Sequence, residues 1–125
     1  MKTENIKFKA KRIGNEEWVF GDLYHEPHGV VSIVQHTEDA DRFVTVNPST
    51  VCQFTGLKDC EGNEIWEGDI LQDVDYYYIK YVVIFGEGTF FARKEGYYTG
   101  IPLHECVGDS GNVTYAKVVG NKFDR

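Results

Sequence analysis

Few side chains in this sequence are of a type and spacing to do chemistry. The densest carboxylates are Glu61, Glu64, Glu67 and Asp69. Two carboxyl groups about 5–10 Å apart across a cleft can hydrolyse a glycosidic bond, and paired turns could set such a distance. An aspartate beside a glycine more often accepts backbone N–H bonds within its own turn, and we read Glu67 and Asp69 in that way. His25 and His28, with His36, Asp39 and Asp41 after them, supply metal-ligating types. Pro27 and Gly29 put the two histidines in a loop with no helical or strand spacing behind them, so no metal is expected. His104 and Cys106 could pair as base and thiol nucleophile, with Cys52 and Cys60 as further thiols. No third residue orients the pair, and a buried cysteine is commonly an apolar filler. Gly86-Glu87-Gly88 lacks the Lys-Ser/Thr of a phosphate loop. The expectation is a protein without catalytic, cofactor-binding or metal-binding residues, and not an enzyme.

The elements that would position these residues are short strands. Eight Tyr, eight Phe and two Trp suit a pleated, half-buried surface, and thirteen glycines against three prolines fit many turns. Ile6 to Lys11 alternates strictly, which predicts a strand with one face in a core and its lysines wet. Gly14-Asn15 turns the chain into Trp18-Val19-Phe20, and Gly21-Asp22 is expected to interrupt that strand with a bulge or bend. Gly29 to Gln35 is β-branched and mostly apolar, hence a strand covered on both sides. Arg42 to Val46 is a further strand. Asn47-Pro48 reads as a cap followed by proline at the first helical position, with no apolar helical period beyond it. One helical turn is expected there.

The stretch from Asn47 to Leu71 organises the rest. It holds the turns at Gly56, Gly62 and Gly68, where glycine permits a left-handed residue, and Asp69 leads from the last of these into the core strands. Of those, Tyr76 to Phe85 has almost no polar alternation. A strand apolar on both faces must be buried twice, by a barrel on one side and a further element or a second subunit on the other. Tyr76, Tyr78, Tyr81 and Phe85 are therefore the expected interface of a homo-oligomer, and the barrel and the assembly both rest on that burial. Gly86-Glu87-Gly88 makes a hairpin into Thr89–Arg93, and Val113 to Val119 is the last strand, ended by Gly120-Asn121. The fold expected is mainly β. It is a small, partly open SH3-like barrel with an N-terminal β-hairpin, extra strands, and at most one or two short helical turns. It forms a single domain over 1–125, divisible into lobes of about 1–50 and 51–125.

Bulk properties narrow the partners. The formal net charge is −7, whereas duplex binding through phosphate neutralisation needs a basic face. Lys2, Lys7, Lys9, Lys11 and Arg12 do cluster near the start, and with Lys80, Arg93, Lys94 and the tyrosines they keep nucleic-acid binding open as the alternative reading. Three cysteines without a CxxC spacing fit free thiols in a reducing cytoplasm. No signal-peptide pattern opens the chain, and its longest apolar run is too short to span a bilayer as a helix. A cytoplasmic protein with no membrane partner is expected.

Taken together, several segments carry a resemblance. Trp18-Val19-Phe20-Gly21-Asp22-Leu23 forms an aromatic-Gly-Asp entry. Val51 to Leu57 (VCQFTGL), Lys58-Asp59, Gly62, Ile65 and Glu67-Gly68-Asp69-Ile70 form a central block, and Val118-Val119-Gly120-Asn121 a closing one. These resemble the YopX family, small proteins of bacterial phages and prophages. Cys52 stands where a small residue is expected. The resemblance implies a mostly-β fold, a prophage-borne gene and self-association, with a phage or host protein as a further partner. It implies no activity and supplies no catalytic residues. The function expected is a non-enzymatic, oligomeric accessory module of the bacterial host cell.

Overall fold

The structure, a computed structural model, describes residues 2–124. The protein is mainly β, with eleven strands and four single 3-10 turns among the described residues. Its antiparallel sheets are open rather than closed into a barrel, and the helical turns outnumber the one or two expected. The chain forms two compact units, residues 1–54 and 55–125.

In the first unit the strands are β1 (Phe8–Lys11), β2 (Trp18–His25), β3 (Val31–His36) and β4 (Asp41–Val46), with the start of β5 (Cys52–Lys58). Their order is β4-β3-β2-β1-β5. Strand alternation sends Phe8 and Ala10 to a core shared with Val19, Leu23, Val31, Ile33 and Val46. Lys9 and Lys11 take the other face, opposite Phe20 and Trp18. They are less wet than expected: Lys9 is 9% exposed. Its ammonium lies 4.4 Å from the Trp18 ring centroid, that of Lys11 4.5 Å from the same ring, and that of Lys7 4.7 Å from Phe54. Ring faces attract a cation, and the alkyl stems cover apolar surface.

β2 is not interrupted at Gly21. Gly21 pairs with Phe8 of β1, and Asp22 pairs with Val34 of β3, so the strand passes from one partner to the other without a break. A Cβ at Gly21 would sit 2.2 Å from the Val34 carbonyl oxygen; glycine is there for close approach. At the far end, one bridge joins Arg12 to Val46. Ile13 N donates to Thr45 O and Asn47 N to Lys11 O. This brings β4 back to β1 at a single point, short of closure. The turn at Pro48–Thr50 forms as expected, with the Asn47 side chain accepting from Ser49 N.

In the second unit, β6 (Glu64–Trp66) lies beside the second half of β5, where the Thr55 hydroxyl donates to Ile65 O at 2.7 Å. A five-stranded sheet follows in the order β10-β9-β8-β7-β11. These are Gly100–Pro102, Thr89–Lys94, Lys80–Gly86, Asp69–Asp73 and Ala116–Asn121. Ile65, Leu71, Val83, Ala92, Leu103, Val113 and Ala116 form the core. The β8–β9 hairpin turns at Glu87 and Gly88, both at positive φ, the form whose twist suits flanking strands.

Two expectations for this unit are overturned. The last strand starts at Ala116, not Val113, and runs through Gly120 to Asn121. More consequentially, β8 starts at Lys80, so Tyr76, Tyr77 and Tyr78 lie outside the sheet. Asp73 is the cause. Its carboxylate accepts from Asp75 N and Tyr76 N at 2.9 Å each, and Ile79 N donates to Tyr76 O, which closes a turn where a strand was expected. Within β8 only Val83 is fully buried, and Phe85 is 51% exposed. The ribbon is not buried twice, and the assembly no longer follows from covering it.

Candidate functional site

The central block reads as architecture once its bonds are traced. Asp59 is 0% exposed and accepts from Glu61 N, Asn63 N, the Asn63 side-chain amide and Val118 N. Burial alone would push its carboxyl up. The N–H donors of Val118 and Asn63, the Asn63 amide and Glu61 N outweigh that and hold it below the ordinary aspartate value. Gly62, at φ 85°, completes this turn. Asp69, also buried, accepts from Trp66 N at 2.7 Å and from the Asn121 side-chain amide at 3.0 Å. The same amide reaches Glu67 O, and Asn121 Oδ1 accepts from Phe123 N. Gly68 (φ 85°) donates to Val83 O and accepts from Lys122 N; a Cβ there would press on the Asn121 amide at 3.2 Å. Gly56 (φ 84°) bends β5 where Leu57 N meets the Thr55 hydroxyl. The Glu-Gly-Asp and Gly-Asn segments are two halves of one latch.

The other chemical candidates are placed as follows. Cys60 is exposed, and partial burial with the charges of Asp59 and Glu61 raises its thiol, the wrong direction for a nucleophile. Cys106 shares a 3-10 turn with the exposed His104. Its sulfur accepts from Tyr115 Oη at 3.1 Å and donates to Pro102 O, so a phenol, whose proton burial holds more firmly, takes the position a base would need. Cys52 is buried. His25 ends β2, and His28 sits in a 3-10 turn at φ 63°. His36 stands between two carboxylates, Nε2 2.7 Å from Asp22 and Nδ1 2.7 Å from Asp41. With both ring nitrogens engaged it has none left for a metal or a substrate proton. Among the described residues no group of three or more His, Cys, Asp or Glu is arranged to hold a metal.

The surface with the clearest provision for contact is carried by two tyrosine-bearing loops that flank the open end of the β8–β9 hairpin, with Tyr98 set beside Ile84 and Phe91 of the sheet. Tyr76, Tyr77 and Tyr78 are 55%, 75% and 70% exposed, and Tyr97 and Tyr98 are 58% and 99% exposed. The two loops meet at the strand ends, where Glu95 N donates to Lys80 O. The Asp73 turn and edge-to-face contacts, Tyr76–Tyr78 at 6.1 Å and Tyr77–Tyr78 at 6.0 Å, hold the first three rings. Lys94 Nζ lies 5.0 Å from the Tyr97 ring. Of the interface residues expected from sequence, Tyr76 and Tyr78 are here. Tyr81 is half-buried against the core, edge-on to Tyr115 at 5.8 Å, and Phe85 meets Phe90 edge-to-face at 4.9 Å near the opposite turn. Tyr77, Tyr97 and Tyr98 were not anticipated; the Gly96-Tyr97-Tyr98 loop between two predicted strands was the available signal.

Two open sheets, turns locked by buried aspartates and a ring cluster facing water define a β-rich protein whose signature residues are structural. The family model described as YopX protein matches residues 2–125, and the chain belongs to that family. No curated protein matches the chain. No helix among the described residues is long and apolar enough to cross a membrane.

Proposed function

We propose that the protein is a non-enzymatic accessory module of a phage or prophage that acts in the bacterial cytoplasm as a homo-oligomer, with the tyrosine cluster as its contact surface. The observation that carries this is the exposure of Tyr76, Tyr77, Tyr78, Tyr97 and Tyr98 on the two loops that flank the β8–β9 hairpin. Tyrosine gives large amphipathic contact area at low entropic cost. At these exposures the five rings offer on the order of 700 Å², close to the roughly 800 Å² each partner of a standard interface buries. The flanking charges are of both signs, with Asp75 and Glu95 beside Lys80 and Lys94. A patch that carries both signs can be self-complementary across a two-fold axis, where residue i of one copy meets residue j of the other. A second copy of the chain is therefore the occupant we assign.

Light scattering of the full chain at tens of micromolar tests this. A mass about twice the 14.3 kDa of the chain is expected, and a monomer overturns the assignment. The nucleic-acid reading has less support. Lys7, Lys9 and Lys11 already lie over aromatic rings, which leaves less of the N-terminal basic cluster for phosphates.

A further inference from the structure

We infer that the open edge of β4 is a docking site for an acidic peptide in extended conformation, separate from the tyrosine cluster. β4 is the outermost strand of its sheet. Thr45 O and Asn47 N face away from β3, because they bond Ile13 N and Lys11 O. Antiparallel ladders alternate strictly, so the N–H and C=O of Phe43 face the same way. Among the described residues neither has a main-chain partner on that side. Arg12 turns off into the β1–β2 loop, and the cleft left behind, about 350 Å³, is lined by Arg12, Ile13, Arg42, Phe43, Val44 and Thr45.

Two features select the occupant. The unpaired main chain offers a ladder to an incoming strand, which is how extended peptides add to a sheet edge. The charge selects an acidic one. Arg12 and Arg42 are both exposed, and among the described residues neither guanidinium is in an ion pair, in a chain of net charge −7. The nearest acid on the strand, Asp41, is taken up by His36 at 2.7 Å. A strand laid along Phe43 would bring carboxylates between two free guanidinium forks, the geometry in which arginine binds them best.

Fluorescence anisotropy of the full chain with a labelled peptide of alternating Thr and Glu tests the inference. The controls are the same peptide with Lys for Glu, the acidic peptide N-methylated at alternate nitrogens, and an oligothymidylate of equal charge. Saturable binding of the acidic peptide is expected, weakened about two- to fivefold by each of Arg12→Ser and Arg42→Ser and abolished by N-methylation. The Phe43 amide should gain protection from hydrogen exchange on binding. Absence of saturable binding up to about 1 mM would overturn the inference, as would equal binding of the lysine peptide. Oligothymidylate binding as tightly as the peptide would make the cleft a plain anion site and equally overturn it. Loss of self-association in the two arginine variants, with peptide binding absent, would give the edge to a second copy and remove the acidic peptide.

Discussion

The Asp59 carboxylate accepts the Val118 N–H at 2.8 Å across 59 residues of chain, so a turn near the middle of the sequence holds the last strand in place. The bond also covers an edge. β11 pairs with β7 on one side only, and on the other Cys60 N donates to Ala116 O while Asp59 takes Val118 N. Exposed edges invite unwanted pairing; a buried aspartate closes this one.

Asp59→Ala therefore removes the acceptor of three main-chain N–H groups at once, in bonds that are partly buried. A lost hydrogen bond to a charged group costs about 1.5–3 kcal/mol, and because Glu61 and Asn63 are exposed and water replaces part of their bonding, the expected loss is roughly 3 kcal/mol in urea unfolding. The pH dependence has a definite sign. The folded carboxyl titrates below its ordinary value of 3.8, so its contribution is complete above that pH and is lost as pH falls through the folded value. Asp59→Ala should flatten the acid limb of the stability curve relative to wild type.

Gly68 and Gly56 separate backbone strain from crowding. Both lie near φ 85°, but a Cβ at Gly56 meets nothing within 4 Å, whereas at Gly68 it meets the Asn121 amide at 3.2 Å. Gly56→Ala should cost about 1 kcal/mol, the left-handed penalty alone. Gly68→Ala should cost roughly 1 kcal/mol more, because it also disturbs the bonds to Asp69 and Glu67. Equal losses in thermal unfolding would show that the latch does not depend on that contact.

His36 should titrate above its ordinary 6.5, chiefly through its hydrogen bond to Asp41, then that to Asp22. Two carboxylates at 2.7 Å on two ring nitrogens require the imidazolium, since a neutral ring donates only once. A group raised in this way contributes fully below 6.5, and the contribution is lost as pH rises through the folded value. The carboxylates of Asp41 on β4 and Asp22 on β2 are the groups that face it. Asp41→Asn should lower the midpoint in an NMR titration more than Asp22→Asn does, and an unshifted wild-type midpoint would contradict the bracket.

Much of this fold could be read from residue order because local chemistry decided it. The Asn47-Pro48 cap, the Glu87-Gly88 turn and the alternation of Phe8 to Lys11 each name their own structure. The glycines at 62 and 68 were legible as turn positions, whereas Gly56 takes its positive φ inside β5 rather than in a turn; that Asp59 and Asp69 reach Val118 and Asn121 was not legible, since those bonds join residues more than fifty apart. The error at Tyr76 to Phe85 has a single source. Hydrophobic run length outweighed one turn-forming residue, Asp73, whose carboxylate gathers the following N–H groups and ends the strand. The tyrosine cluster stayed hidden for the same reason: its loops meet only after β8 and β9 pair.

The account turns on whether those exposed rings hold two copies together. Sedimentation velocity of the wild type and of the Tyr76→Ser, Tyr78→Ser, Tyr98→Ser triple variant, at tens of micromolar, addresses it directly. Surface substitutions of this kind leave folding within about 1 kcal/mol, which circular dichroism verifies. The account predicts a dimer for the wild type and a folded monomer for the variant. A wild-type monomer, or a variant that still dimerises, would contradict it.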